Sequence, residues 1–401
     1  MTPLQKLDIR RMLLASVAFG ATAGIFNSSL GNYLHDVHAF SAEARGWLEF
    51  PRELPGFMVI FTVGFLAARY REGRAMAVAM TVTMLGAIGL ALWTPSAWMA
   101  VLWIFVWSTG DHMNFALEGP LGLKLARRGG EGRRLGQFGG AKNLGGLLGA
   151  GSVFLIARWF GDDYRAFFLL AAVLAVVAGY NFFRIETGRQ DKAPRRFVWR
   201  REYHIFYAIS ALFGIRKQIF FVFGTWVLVD IHQVPVSTIA TLMFLGSGLG
   251  VVLRPLLGDI IDHVGERLVL SVDEILLIII CLVYAFADQL LPGGGVIWAL
   301  YVAYVLDQTL FALRVARTTY LKKIAVDPAD ITPTMSMGLT IDHAVAMTLP
   351  IMSGWLWVNV GYQWVFVMAG LIALAGFFIC LRIKVPATPA DPGSPPGVPT
   401  G

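Results

Sequence analysis

Long apolar stretches interrupted by short polar ones recur along the whole chain, and twelve of them are long enough to cross a bilayer, which takes about 20 apolar residues per helix. Apolar length and loop punctuation place them at 11–33, 46–69, 73–93, 97–126, 133–160, 163–184, 203–231, 237–262, 267–288, 295–322, 331–359 and 361–383. The expected fold is all-α and polytopic. A polar, basic loop from Ile185 to Glu202 divides the chain near its middle, while Pro386 to Gly401 is rich in Pro, Gly, Ala and Thr and is expected to be disordered. The expected organisation is an N-terminal bundle over 1–184, a linker over 185–202, a C-terminal bundle over 203–385 and a tail over 386–401.

Composition agrees. Of 401 residues 56% are hydrophobic and 15% charged, whereas soluble domains average ~45–50% and ~25%. The net charge of +7 raises nucleic acid as a partner, but the positions of the cations argue against it. Lys and Arg crowd the N-terminus and alternate loops, from Lys6, Arg10 and Arg11 to Arg382 and Lys384, and only Arg45, Arg158 and Arg165 fall in the opposite loops. The positive-inside rule then puts both termini in the cytoplasm of a plasma (inner) membrane protein. Cys281 and Cys380 lie inside apolar runs and offer neither a disulfide framework nor a metal cluster.

The chain also repeats itself. At a separation of 194 residues, Phe19-Gly20, Ile25-Phe26, Asp36 and His38 recur as Phe213-Gly214, Ile219-Phe220, Asp230 and His232. At 196, the segment Asp111 to Glu118 aligns with Asp307 to Arg314. Two six-span halves of like orientation follow, and span one, despite flanks that imitate a cleavable signal, has a counterpart in span seven.

The connection between spans eight and nine reads Gly258-Asp259-Ile260-Ile261-Asp262-His263-Val264-Gly265-Glu266-Arg267. It resembles the Gly-x-x-x-Asp-x-x-Gly-x-Arg signature of the major facilitator superfamily. Its counterpart between spans two and three keeps Gly64, Arg69, Gly73 and Arg74 but has Ala68 in place of the acid and one extra residue. The resemblance implies twelve helices in two pseudo-twofold-related bundles, a secondary transporter working by alternating access, and a gating cluster drawn from Gly258, Asp262, Gly265, Arg267, Arg69 and Arg74. Proton-coupled drug exporters of that family typically carry an arginine in span four and a Gly-Pro motif in span five; here span four has Asp111 and Glu118, and span five lacks proline.

Ionisable residues at membrane depth insert at a cost of about 2.5–3.5 kcal/mol each and mark function. On span four Asp111, Asn114 and Glu118 form one stripe, with His112 beside it. Span ten carries Asp307 and Arg314, span seven Arg216, Lys217 and Gln218, span eight Arg254, span five Lys142, and span eleven Asp342 and His343. Glu49, Arg52 and Glu53 on span two permit an intrahelical ion pair, leaving a structural and a functional role both open. The cations of the C-terminal half outnumber the acids expected near them, so an anionic small-molecule substrate completes the balance. Arg216, Lys217, Arg254 and Arg314 are expected to hold it, helped by Asn114 and Gln218. Asp111, Glu118, Asp307, Asp342, His112 and His343 are the candidates for exchanging protons.

No His-Glu-x-x-His, Cys-x-x-Cys or Gly-x-Ser-x-Gly occurs, and the glycine run from Gly139 to Gly151 reads as close helix packing, not a phosphate loop. No enzyme, cofactor or metal is expected, and a monomer in the lipid bilayer is. The alternatives are an exporter of amphipathic or cationic compounds and a non-transporting sensor with a transporter fold.

Overall fold

The computed structural model describes residues 3–69, 71–126, 131–186, 198–327 and 330–384. The expected tail and most of the linker lie outside the described residues, as do the side chains of Arg69, Arg254, Asp262 and Arg314. The first half folds as α1 (Pro3–Asp36), α2 (Ala42–Arg69), α3 (Glu72–Leu92), α4 (Ala97–Lys124), α5 (Glu131–Phe160) and α6 (Tyr164–Phe183). In the second half α7 (His204–Gln218) continues through π-helical turns at Ile219–Gly224 and Val227–Ile231. It is followed by α8 (Val236–Val264) and α9 (Glu266–Leu290). Then α10 (Gly295–Leu310) passes through a 3-10 turn, Phe311–Leu313, into α11 (Arg314–Ile324), and α12 (Ile331–Asn359) and α13 (Tyr362–Cys380) complete the chain. Each expected span has its helical rod, α10 and α11 together making the tenth. The wide turns of α7 and the tightened turn between α10 and α11 are departures from the plain helices expected there.

Nine rods are long and apolar enough to cross a membrane, counted over the described residues. The remaining three, α2, α4 and α12, carry most of the polar cluster described below. Trp93, Trp98, Trp159 and Trp298, all near the helix ends opposite the termini, stand exposed, as in the aromatic belts of membrane proteins.

Helix α1 packs on α5 and α6, α3 on α4 and α6, and α2 on α4; in the second half α9 packs on α13, α7 on α12 and α13, and α8 on α10. The halves meet along two seams, α2 on α12 and α5 on α8. Within a membrane, close backbone approach replaces the hydrophobic drive as the source of helix association, and glycine supplies it here. A Cβ on Gly145 or Gly149 would lie 2.0 or 2.2 Å from the Val17 or Ala21 carbonyl of α1. On the α2–α12 seam a Cβ on Gly46 would lie 2.2 Å from the Pro350 carbonyl oxygen.

The two ends of the seams differ. Opposite the termini, at what we term the far end, Asn32 donates to the Val234 carbonyl at 2.8 Å and His35 lies 3.7 Å from Asp230. A cavity of about 20 Å³ lies between α1, α2 and α7 beside Asn27, Arg45, Arg52 and Thr225, room for one water. Toward the end bearing the termini, Gly119, Gly136, Gly139 and Gly140 face open space. The polar contacts joining the halves among the described residues lie at mid-depth or at the far end, so it is the far side that such contacts close.

Candidate substrate and coupling site

The α2–α12 seam is fastened at mid-depth by Glu53. Its Oε2 lies 2.8 Å from Nδ1 of His343 and 3.6 Å from Nζ of Lys217, both from the second half. Its Oε1 lies 2.9 Å from Nη2 of Arg52. Lys217 Nζ is also 3.0 Å from Oδ1 of Asp342. Arg52 in turn grips both oxygens of Glu49 through Nε, at 2.9 and 2.8 Å, and Glu49 also pairs with Arg45. Three cations and three carboxylates thus form one buried group spanning both halves.

His112 of α4 completes it. Its Nδ1 lies 2.9 Å from the Ser108 carbonyl and 3.0 Å from the Ser108 hydroxyl, which itself donates to the Arg52 carbonyl. The Nδ1–H of a neutral ring is therefore occupied, leaving Nε2 as an open acceptor 4.0 Å from Glu53 Oε2. The two imidazoles meet edge to face at 5.1 Å. Gly56 makes this possible, since a Cβ there would fall 2.5 Å from both rings. The donor atoms of Glu53, His112 and His343 lie within 4.8 Å of one another, a spacing that could hold a metal ion. Arg52 and Lys217 already neutralise Glu53, however, and a divalent ion would bring two further charges into a balanced group; the chemistry suits a proton better.

A second cluster lies within the C-terminal half. Arg216, 5% exposed, binds both oxygens of Asp273 at 2.7 and 2.8 Å, and reaches Oδ1 of Asp307 through Nε at 3.1 Å and Nη2 at 3.0 Å. This corrects two expectations. Arg216 is sequestered by acids and does not present its fork to a substrate. Nor are the described cations Arg216 and Lys217 short of acids: Asp273 and Glu53, absent from the expected set, lie beside them.

The other expected residues divide. Lys217, Asp342, His112 and His343 are brought together around Glu53. Glu118 accepts from Lys142 at 3.1 Å, and the ammonium sits 4.5 and 4.8 Å from the centres of the Phe19 and Phe115 rings. Asp111 makes no hydrogen bond or ion pair with any described residue; its charged neighbours are Lys142, Arg52, Glu53 and Glu118. Asn114 is turned away into the α3–α4 packing, donating to Met80 Sδ and the Gly110 carbonyl. Gln218 is fully buried, without a hydrogen-bond partner among the described residues.

At the end bearing the termini, Gly265 ends α8 with φ +82°, a conformation only glycine adopts readily. Arg267 is exposed, and Arg74 lies over the Phe183 ring at 5.8 Å. A buried acid within the motif is Glu266, 2.8 Å from Lys323 at the end of α11. Its counterpart 194 residues earlier, Glu72, pairs with Lys124 at the end of α4. The sequence motif pointed to Asp262, whereas the repeat spacing, extended to this connection, picks out the Glu72 and Glu266 pair.

Residues 12–326 match the family model described as Major Facilitator Superfamily. Among solved structures the chain is similar to the nucleoside transporter NupG, at 14% identity and TM-score 0.74 over 95% of this chain and 99% of that one. It is similar to a bacterial homologue of the human lysosomal transporter Spinster in an inward-facing, unoccupied conformation, at 13%, 0.72, 96% and 100%. A D-xylose-proton symporter aligns at 14%, 0.70, 94% and 97%. At such identities the likeness is one of fold. No curated protein matches the sequence.

Proposed function

The chain belongs to the major facilitator superfamily, and from that premise we propose that it carries a small organic anion across the plasma (inner) membrane together with protons. The cation distribution puts the termini in the cytoplasm, so a bundle pair closed at the far end is inward-facing. The observation that carries the reading is the sharing of Glu53 between Lys217 and His343. With Glu53 ionised, Lys217 is neutralised by protein and the seam is fastened. A proton on Glu53 removes its charge and leaves the group of three cations and three carboxylates one negative charge short, with Lys217 held by Asp342 alone, and an anionic substrate can supply the missing charge.

Proton and anion binding are thereby mutually favourable, as linkage requires of any coupled pair. His112 Nε2 is the neighbouring acceptor through which a proton reaches Glu53, and Asp111 and Asp342 flank the route. Arg254 and Arg314 are assigned to the same anion site on sequence grounds. A similar fold serves a protein named as a D-xylose-proton symporter, which fits the coupling ion and leaves the solute to this chain's own side chains.

The test uses purified protein with a panel of small carboxylates and phosphorylated metabolites, ranked by thermal stabilisation. The best of them is then followed into proteoliposomes. Glu53→Gln should abolish accumulation driven by a proton gradient and retain counterflow, and Lys217→Gln should abolish stabilisation by the anion. Unchanged behaviour of both variants rejects the reading.

A further inference from the structure

The last turn of α1 places His35 between two carboxylates that the internal repeat makes equivalent. Nδ1 lies 2.7 Å from Asp36 Oδ1 in its own half, and Nε2 lies 3.7 Å from Asp230 Oδ1 in the other. Asp36 and Asp230 occupy matching positions 194 residues apart, so closing the far end brings like charges toward one another across the axis, with a single imidazole between them. The ring also packs edge-on against Trp226, centroid to centroid 6.0 Å. From α6, Tyr164 donates its hydroxyl to Asp36. Asp162, in the connection before α6, has its carboxyl pushed up by burial and by the charge of Asp36. His38 is turned aside onto the Tyr33 hydroxyl at 3.0 Å.

A neutral imidazole has one N–H and serves one of the two acids; the protonated ring donates to both. We propose that His35 is a proton-operated clamp on the far-side gate, its protonated form holding Asp36 and Asp230 together and its neutral form releasing them. The closed gate binds the additional proton, so by linkage closure is favoured as pH falls and weakened as pH rises. The clamp lies at the mouth of the pathway, apart from the Glu53 group, and sets which side is open without touching the substrate.

The experiment reads gate opening directly and needs no substrate. In the full chain with Cys281→Ala and Cys380→Ala, nitroxides are placed by Phe160→Cys and Leu290→Cys, both exposed at the far ends of α5 and α9. Pulsed electron resonance in nanodiscs then gives the closed-to-open ratio at about pH 5.5 and about pH 8. The ratio should be about two- to fivefold higher at the lower pH, the size of a partly exposed ion pair. His35→Gln should flatten the dependence toward the open form, His35→Lys should hold the gate closed at both values, and Asp230→Asn should flatten it while leaving the protein monodisperse. A wild type without pH dependence, or a dependence that survives His35→Gln, overturns the clamp.

Discussion

Glu53 and His343 belong to different bundles, and the 2.8 Å between Glu53 Oε2 and His343 Nδ1 ties α2 to α12 through two buried side chains. Glycines above this contact bring the helices together; the contact itself is chemical and reversible. A seam closed only by apolar packing would respond to temperature and lipid, whereas one closed through a carboxylate and an imidazole also responds to protons.

The Glu53–His343 coupling is measurable as a double-mutant cycle. Glu53→Gln, His343→Gln and the double variant, unfolded thermally in detergent, should give an interaction energy of about 1.5–3 kcal/mol, as expected of a buried hydrogen bond to a charged group. Additive effects would mean that the two side chains merely adjoin.

Arg216 presents the opposite case, a cation whose partners all lie in one bundle. Arg216→Gln strands two buried aspartates and should destabilise the protein by about 3–5 kcal/mol. Replacing Arg216, Asp273 and Asp307 together by Met, Leu and Leu should recover much of that loss. Substrate affinity, measured on whatever folded fraction of Arg216→Gln is isolated, should stay near that of the wild type; a large loss of affinity at intact stability would return Arg216 to the binding site.

Much of the architecture was legible in the sequence because membrane helices announce themselves by apolar length, and the two halves by their repeat. Lys217, Asp342, His112 and His343 were legible as candidates since charge at membrane depth is rare and needs a reason. Partnership was not. Arg216 and Lys217 are adjacent in sequence and about 100° apart on a helix, so one faces Asp273 and Asp307 inside its bundle and the other faces Glu53 across the seam. Asp273 stands near the start of an otherwise strongly apolar helix, and Glu53 has an arginine beside it that suggested a local pair. Which acids meet which cations is decided by α2 lying on α12 and α9 near α7, a tertiary fact without a one-dimensional signature.

The α2–α12 seam makes a steric prediction. Gly46→Leu drives a side chain into the Pro350 carbonyl, where even a Cβ has 2.2 Å, and the backbone must part. The closed far end loses stability relative to the open one, and the exposed label positions used for the clamp should report a shift toward the open form at every pH. An unchanged distance distribution would show that α12 yields locally, without moving the gate.

Asp111 separates a transport role from a structural one. It has no ionic partner among the described residues, yet it stands at mid-membrane, where an ionisable group is retained at a cost of about 2.5–3.5 kcal/mol. Asp111→Asn keeps the shape of the side chain and relieves that cost, so the variant should melt at the same temperature as the wild type or higher. If Asp111 relays protons toward His112 and Glu53, the same variant should lose gradient-driven accumulation. A lower melting temperature with transport intact would identify Asp111 as a support for the helix packing and leave the relay to His112 alone.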